Sequence, residues 1–341
     1  TSNYTALTGS SAGNFVINAA TPTLTVTNTP QTYTGSPIAA TVTCSSSGTV
    51  SNIKYGGDST VPTNVGTYAI TADCGAITNY TAPTGASAGN FVISPATPTL
   101  SVSNTPQTYT GSPIAATVTC SGGGAVTNIK YGGNSNIPTT AGTYAITADC
   151  ASTSNYNAAT SASAGNFVIS PATPTLTVTN TPQTFTGNPI AATVTCSGGG
   201  TVSNIQYNNS STVPTNAGTY TITADCASST NYSAATGASA GNFVISAGTA
   251  TLTVTNTPQT YTGSPIAATV TCSSGGAVSN IRYNGSSTVP TNVGTYTITA
   301  DCAANGNYAA LSSVSAGTFV IAGGGATLSI TNTPQTYTGS P

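Results

Sequence analysis

The chain has 341 residues, of which only 2% are charged, and a formal net charge of -2. Three bases cannot supply the repeated Lys or Arg contacts to phosphate on which nucleic-acid binding depends. Acid–base or nucleophilic catalysis needs a base tuned near neutral pH, and a chain without His or Glu lacks the usual candidates, so the sequence predicts a protein that is not an enzyme.

The sequence repeats itself every 76 residues without insertion or deletion. A strict period of this length predicts a tandem array of small domains rather than one large fold. Four complete copies are predicted: repeat 1 at 19–94, repeat 2 at 95–170, repeat 3 at 171–246 and repeat 4 at 247–322. Residues 1–18 resemble the tail of a preceding repeat, and residues 323–341 resemble the start of a following one.

Within repeat 1, short runs of alternating apolar and polar residues predict β-strands, because Thr, Val, Ile and Tyr favour strands and no helical period is present. In chain order these runs are 24–28, 38–44, 50–55, 67–74 and 89–94, with weaker extended pieces at 31–33 and 60–62. Turn-forming Gly, Pro, Asn and Asp separate them. About seven short strands predict an all-β fold, with each repeat an immunoglobulin-like β-sandwich.

Each repeat contains two cysteines 30 positions apart, and the alternation places both on the apolar faces of their strands. A domain of this size has a small core, so a covalent cross-link is a useful addition to its stability. We predict one disulfide per repeat: Cys44 to Cys74, Cys120 to Cys150, Cys196 to Cys226, and Cys272 to Cys302. The competing arrangement links neighbouring repeats, for example Cys74 to Cys120.

No metal or cofactor site is predicted. Zinc sites are typically built from C-x-x-C pairs or His, and the sequence has neither. Calcium sites require several carboxylates, whereas most repeats contain a single Asp. Asp73 is expected to be solvated or bonded to a turn. Lys54, Lys130 and Arg282 share one repeat position, which is Gln206 in the third copy, and they are predicted to be exposed strand residues. The glycine runs after Cys120 and Cys196 are predicted loops.

Two sets of tyrosines recur. Each tyrosine of the first set shares a strand face with an isoleucine and is predicted to pack in the core. This set is Tyr55, Tyr131, Tyr207 and Tyr283. Each tyrosine of the second set follows Asn and is predicted to lie near a loop and to fix it by bonding to backbone, as a tyrosine corner does. This set is Tyr80, Tyr156, Tyr232 and Tyr308. Asn-x-Ser/Thr sequons make Asn79, Asn231 and Asn284 possible glycosylation sites, and Asn3 and the pair Asn208 and Asn209 also fit the pattern.

The order of these elements resembles a known family. Tyr33-Thr34-Gly35-Ser36-Pro37, Tyr55-Gly56, the stretch 62–72, Asn79-Tyr80 and Phe91-Val92-Ile93 follow one another, and close versions of this series return in every full copy. The series resembles the MBG-type immunoglobulin-like repeats of bacterial surface proteins and adhesins. The resemblance implies sandwich modules strung in tandem on an exported protein, serving as a stalk or an adhesive fibre.

Eight cysteines in regular pairs indicate an oxidising, extracellular or cell-surface location. Short linkers bearing proline predict a semi-rigid, extended array. The predicted function is a structural component of an extracellular bacterial stalk, fibre or filament. The alternative is a multivalent adhesin array that binds glycans or host proteins by avidity. Expected partners are further copies of the chain or the rest of a longer array, with glycans as a further candidate. No segment is apolar enough to predict a membrane span.

Overall fold

A computed structural model describes residues 8–326, 328–329, 336–337 and 339. The chain divides into two compact units, one ending at Pro171 and the other beginning at Ala172. Within the described residues every regular element is a β-strand. The resemblance of 1–18 and 323–341 to partial repeats, and the sequon at Asn3, fall wholly or partly outside the described residues.

The strands recur with nearly the same bounds in each repeat. Repeat 1 contains β1 (Leu24–Val26), β2 (Gln31–Thr32), β3 (Val42–Cys44), β4 (Val50–Tyr55), β5 (Gly66–Cys74) and β6 (Ala86–Ser94). Repeat 2 contains β7 (Leu100–Val102), β8 (Gln107–Thr108), β9 (Val118–Cys120), β10 (Val126–Tyr131), β11 (Gly142–Cys150) and β12 (Ala159–Ser170). Repeat 3 contains β13 (Leu176–Val178), β14 (Gln183–Thr184), β15 (Val194–Cys196), β16 (Val202–Tyr207), β17 (Gly218–Cys226) and β18 (Ala235–Ser246). Repeat 4 contains β19 (Gly248–Thr249), β20 (Leu252–Val254), β21 (Gln259–Thr260), β22 (Val270–Cys272), β23 (Val278–Tyr283), β24 (Gly294–Cys302), β25 (Tyr308–Ala309) and β26 (Leu311–Ala322).

Each repeat is a small sandwich of two sheets. In repeat 1, β1 and β3 form a two-stranded antiparallel sheet, and the other sheet has the order β2-β6-β5-β4. Strand β2 runs parallel to β6, whereas β5 pairs antiparallel with both β6 and β4. The other three repeats have the same pairing. The predicted all-β tandem array of sandwiches is therefore confirmed.

The core of each repeat lies between the two sheets. In repeat 1, Ile70, Phe91 and Ile93 are at most 1% exposed, and Leu24 and Val26 of the smaller sheet pack against them. The disulfide from Cys44 on β3 to Cys74 on β5 joins the two sheets. The other three pairs are also those predicted, Cys120–Cys150, Cys196–Cys226 and Cys272–Cys302, and no described cysteine is free.

The strand predicted at 38–44 is shorter in the structure, because hydrogen bonds to side chains replace backbone strand pairing over its first half. The Asn28 amide donates to Ala39 O at 2.9 Å and accepts from Thr41 N at 2.6 Å, and Ala40 N donates to the Tyr55 hydroxyl at 2.9 Å. Regular strand pairing begins only at Val42. The weak extended piece at 60–62 is not a strand, although Pro62 O accepts the Ile38 N–H at 2.9 Å.

Candidate functional site

The first unit contains a joint between repeats 1 and 2 that is built on one asparagine. Asn155 of repeat 2 reaches into repeat 1, where its Oδ1 accepts the Val65 N–H at 2.9 Å. Its Nδ2 donates to Asn64 Oδ1 at 3.2 Å. Both ends of one amide side chain are thus used to hold the neighbouring repeat.

An aromatic contact lies at the same joint. The ring of Tyr156 packs edge-to-face on Tyr33 of repeat 1, with centroids 5.4 Å apart and planes at 75°. Edge-to-face geometry is favourable because the positive edge of one ring meets the negative face of the other. Asn155 and Tyr156 combine a directional amide contact with an apolar one. We call these two residues, and those at the same positions in other repeats, the Asn-Tyr pair.

Both sides of this joint are held in place locally. On repeat 2, Ala96 N donates to Asn155 O at 3.0 Å and Asn157 N donates to Ala96 O at 2.9 Å, so the linker pairs with the loop that bears the Asn-Tyr pair. On repeat 1, the Tyr68 hydroxyl donates to Asn64 O at 2.8 Å. The contacting groups are therefore positioned by bonds within their own repeats.

The second unit contains a matching joint between repeats 3 and 4. Asn307 Oδ1 accepts the Ala217 N–H at 2.7 Å, and its Nδ2 donates to Asn216 Oδ1 at 3.0 Å. Tyr308 packs on Phe185 with centroids 5.3 Å apart and planes at 76°. The Tyr220 hydroxyl donates to Asn216 O at 2.8 Å, as Tyr68 does in repeat 1.

In repeats 2 and 4 the disulfide lies close to the loop that carries the Asn-Tyr pair. In repeat 2, a Cβ on Gly122 would lie 2.7 Å from the ring of Tyr156, and a Cβ on Gly124 would lie 2.9 Å from the Cys150 sulphur. Repeat 4 has Ser274 at the position of Gly122, and its hydroxyl lies 3.2 Å from Cys272 Sγ and 3.5 Å from Cys302 Sγ. The glycine runs are loops, as predicted, and close approach explains two of their members.

The recurring aspartate has a structural position. In repeat 2, Asp149 accepts the Asn128 amide on one oxygen and the Ser161 N–H, at 2.7 Å, on the other. Asn128 and Ser161 have φ of 52° and 50° and lie on β10 and β12, so the carboxylate on β11 bridges irregular points of the two strands that flank its own. Asp73, Asp225 and Asp301 make the same pair of contacts in their repeats. The expectation of a solvated or turn-bonded Asp73 agrees with this geometry.

These hydrogen bonds favour the charged form of the carboxylate. The Asn128 amide, then the Ser161 N–H and the charge of Lys130, hold the pKa of Asp149 below its ordinary value of 3.8. In repeat 4, the Asn280 amide, then the Ser313 N–H and Arg282, lower the pKa of Asp301 in the same way. Such lowered values do not suit an acid or base working near neutral pH.

The structure also places the other residues that were predicted from the sequence. Tyr55 is buried, packs on Phe91 and accepts a backbone N–H, as the core interpretation requires. Lys54 and Gln206 are half-buried on their strands, and Lys130 and Arg282 are exposed. Asn79 and Asn284 are exposed and Asn231 is half-buried, and their glycosylation stays a prediction.

The Asn-Tyr pair was underestimated from the sequence. The sequence predicts that its tyrosine lies near a loop and holds it, and that its asparagine is a sequon in two copies. The signal was the asparagine itself, which recurs at Asn79, Asn155, Asn231 and Asn307, whereas the sequon's third residue changes to Asn157 and Ala309. An asparagine retained without its sequon indicates a use for the amide.

Neither a metal centre nor a membrane-spanning helix is found in the part of the chain that the structure describes. No group of three or more His, Cys, Asp or Glu residues could hold an ion there. No helix there is long and apolar enough to cross a bilayer.

Comparison with known proteins identifies the repeat. The family described as the MBG domain matches four successive segments, at residues 22–97, 98–173, 174–249 and 250–324. The search of curated proteins found no match, and the search of solved structures also found none.

Proposed function

We propose, since the chain belongs to the MBG domain family, that it is a structural component of an extracellular bacterial stalk, fibre or filament. Tandem MBG repeats closed by disulfides indicate a repeat-array surface protein. Within that class, this chain acts as a spacer and connector, with each repeat as one unit of length. The occurrence of one disulfide in each of four repeats supports an oxidising location.

The observation that carries the proposal is the repeated joint. In both units, the second repeat uses one Asn-Tyr pair to hold the first, through two hydrogen bonds and one ring contact. A joint with directional bonds resists bending better than a flexible linker does, because each bend must break bonds of fixed geometry. A spacer needs such resistance, whereas independent binding modules do not.

The aromatic side chains also favour a structural role. A glycan-binding array needs an exposed aromatic platform in every copy. Tyr55 and Phe91 and their equivalents are buried, and Tyr33 packs on Tyr156. The adhesin interpretation is therefore kept as an outcome of the test.

The test measures the stiffness of the joint in the full chain. Spin labels on non-natural side chains at exposed Thr25 of repeat 1 and Ser101 of repeat 2 report the distance between the repeats. We expect a narrow distance distribution in the unmodified chain and a broad one in Asn155→Ala. Asn79→Ala is the matched control, because Asn79 occupies the same repeat position with an exposed side chain, and it should leave the distribution narrow.

Binding is measured on the same preparations. The chain is screened against a glycan panel and extracellular matrix proteins, and the structural role predicts no saturable binding. A broad distance distribution in the unmodified chain, together with saturable binding to one of these ligands, would overturn the proposal in favour of the adhesin.

A further inference from the structure

All three basic residues of the chain stand at one position of the repeat. Lys54, Lys130 and Arg282 share this position, and repeat 3 has the uncharged Gln206 there. The local sequences are otherwise almost the same, VSNIKY, VTNIKY, VSNIQY and VSNIRY. The chain has eight charged residues, and all three positive ones occupy this repeat position. This restriction indicates that the positive charge has a function at this position.

The shared position lies on an edge strand. Strands β4, β10, β16 and β23 are each the outermost member of a four-stranded sheet, bonded to the next strand on one side only. An outermost strand presents backbone N–H and C=O groups along its open side, and these can pair with a strand of another chain. Proteins limit this pairing with bulges and with charged side chains on the edge, lysine above all.

The bulge is common to all four edges. Pairing shifts register between Ser51 and Lys54 in repeat 1, and Asn52 there has a φ of 54°. The equivalent Asn128, Asn204 and Asn280 have φ between 52° and 53°. Since the bulge does not distinguish the copies, the side chain after it is what makes the edge of repeat 3 different.

We propose that the base at this position prevents side-by-side pairing with a second copy of the chain, and that β16 of repeat 3 is the edge through which two copies associate. In a twofold pairing of one strand with its own copy, the same surface meets itself. Paired strands lie about 4.8 Å apart, well inside a screening length of about 10 Å at 0.1 M salt, so two lysines there repel each other. Two glutamines carry no charge, and their amides can both donate and accept.

This proposal deepens the proposed function, on which it rests, by naming a second copy as the lateral partner. Because the bulge interrupts the edge, the contact is short, and a small interface gives weak, reversible association. Because a twofold contact closes on itself, two chains would be joined side by side at repeat 3 rather than along their whole length. Lateral association and the stiffness of the joint are separate measurements, so either can fail alone.

The experiment is sedimentation velocity of the full chain over a concentration series. We expect a reversible dimer, weakened at least tenfold by Gln206→Lys. Lysine is the residue of repeats 1 and 2 at this position, so the variant should fold, and an unchanged thermal unfolding curve checks this. The matched control is Thr177→Lys, which adds the same charge to an exposed residue of β13 in the same repeat and should leave the dimer intact.

The reverse variants complete the test. Lys54→Gln, Lys130→Gln and Arg282→Gln should each open another edge and produce oligomers larger than the dimer. Added salt should promote association through the edges that carry a base and have little effect on the edge of repeat 3. A strictly monomeric chain at every concentration, a dimer that persists in Gln206→Lys, or an equal effect of Thr177→Lys would each overturn the proposal.

Discussion

The joint of the first unit and the joint of the second have the same geometry with different residues. Val65 and Tyr33 receive the Asn-Tyr pair in the first, and Ala217 and Phe185 receive it in the second. The ring centroids nevertheless lie 5.4 and 5.3 Å apart, and each asparagine makes the same two bonds. The joint therefore depends on a backbone N–H, an amide acceptor and an aromatic face, and it tolerates changes in the side chains around them.

The two joints differ more at the loop residue beside the tyrosine, which is Gly122 in repeat 2 and Ser274 in repeat 4. In repeat 2, Gly122 leaves room for the ring of Tyr156. In repeat 4, the Ser274 hydroxyl lies against the disulfide sulphurs, and the Ser274 carbonyl oxygen accepts the Asn305 amide at 2.6 Å. The support for the Asn-Tyr pair is thus built in two ways. Substitutions that exchange these features test which of them each joint requires.

Loss of the disulfide below one joint should have the largest effect. Replacing Cys120 and Cys150 by Ala removes the closure of a loop of about 30 residues, which we expect to lower the free energy of unfolding of repeat 2 by roughly 3 kcal/mol. Amide hydrogen exchange in denaturant, resolved by repeat, measures it. Repeat 4 is the internal control, and an equal loss of protection there would contradict an effect that is confined to repeat 2.

Copying the support of repeat 4 into repeat 2 should also disturb the first joint. Gly122→Ser places a Cβ 2.7 Å from the Tyr156 ring, so the ring must move, at a cost of about 1–3 kcal/mol. The expected result is lower thermal stability together with a faster-exchanging Val65 amide. Ser274→Gly is the opposite change and should have the smaller effect, because it removes contacts without creating a clash.

Removing the asparagine should loosen one joint alone. Asn307→Ala deletes two hydrogen bonds, for which we expect a loss of about 1–2 kcal/mol at the second joint. The Ala217 amide should exchange about tenfold faster, since 1.4 kcal/mol corresponds to a factor of ten. The Val65 amide, held by Asn155, is the control, and acceleration at both amides would count against separate joints.

Acid should weaken the repeats that carry the Asn-Tyr pairs. Asp149 and Asp301 have pKa values below 3.8 in the folded protein, so their contribution to stability is present above pH 3.8 and is lost as the pH falls through their folded values. Thermal melting between pH 5 and pH 2 measures this, with pH values chosen to bracket that range. The double variant Asp149→Asn with Asp301→Asn should show a shallower pH dependence, and an unchanged slope would assign the acid sensitivity to other groups.

Exchange of the receiving aromatic rings should have the smallest effect. Tyr33→Phe copies the second joint into the first, and Phe185→Tyr does the reverse. We expect each to change the free energy of unfolding by less than about 0.5 kcal/mol, because only the ring is common to the two contacts. Tyr33→Ala is the disruptive control, and a comparable loss in Tyr33→Phe would show that the Tyr33 hydroxyl contributes to the joint.

Much of the fold could be predicted because it depends on local patterns. The alternation at 50–55 and 67–74 predicted β4 and β5 almost to the residue, and the phase of the runs 38–44 and 67–74 placed both cysteines in the core. The strand at 38–44 was predicted too long, because the Asn28 side chain replaces part of the ladder. That replacement joins residues 11 and 13 positions apart, and neither the alternation nor the turn residues indicate it.

The sequence by itself determined the array and the all-β class and predicted the disulfides, since each follows from period or alternation. Only the tertiary structure decided what Asn155 does, because its partners lie 90 and 91 positions away in another repeat. The same holds for the Asp149 carboxylate, which is useful only once two irregular strand positions are brought beside it. Hydrogen bonds between distant residues depend on how folded surfaces meet, and a sequence read one repeat at a time does not contain that information.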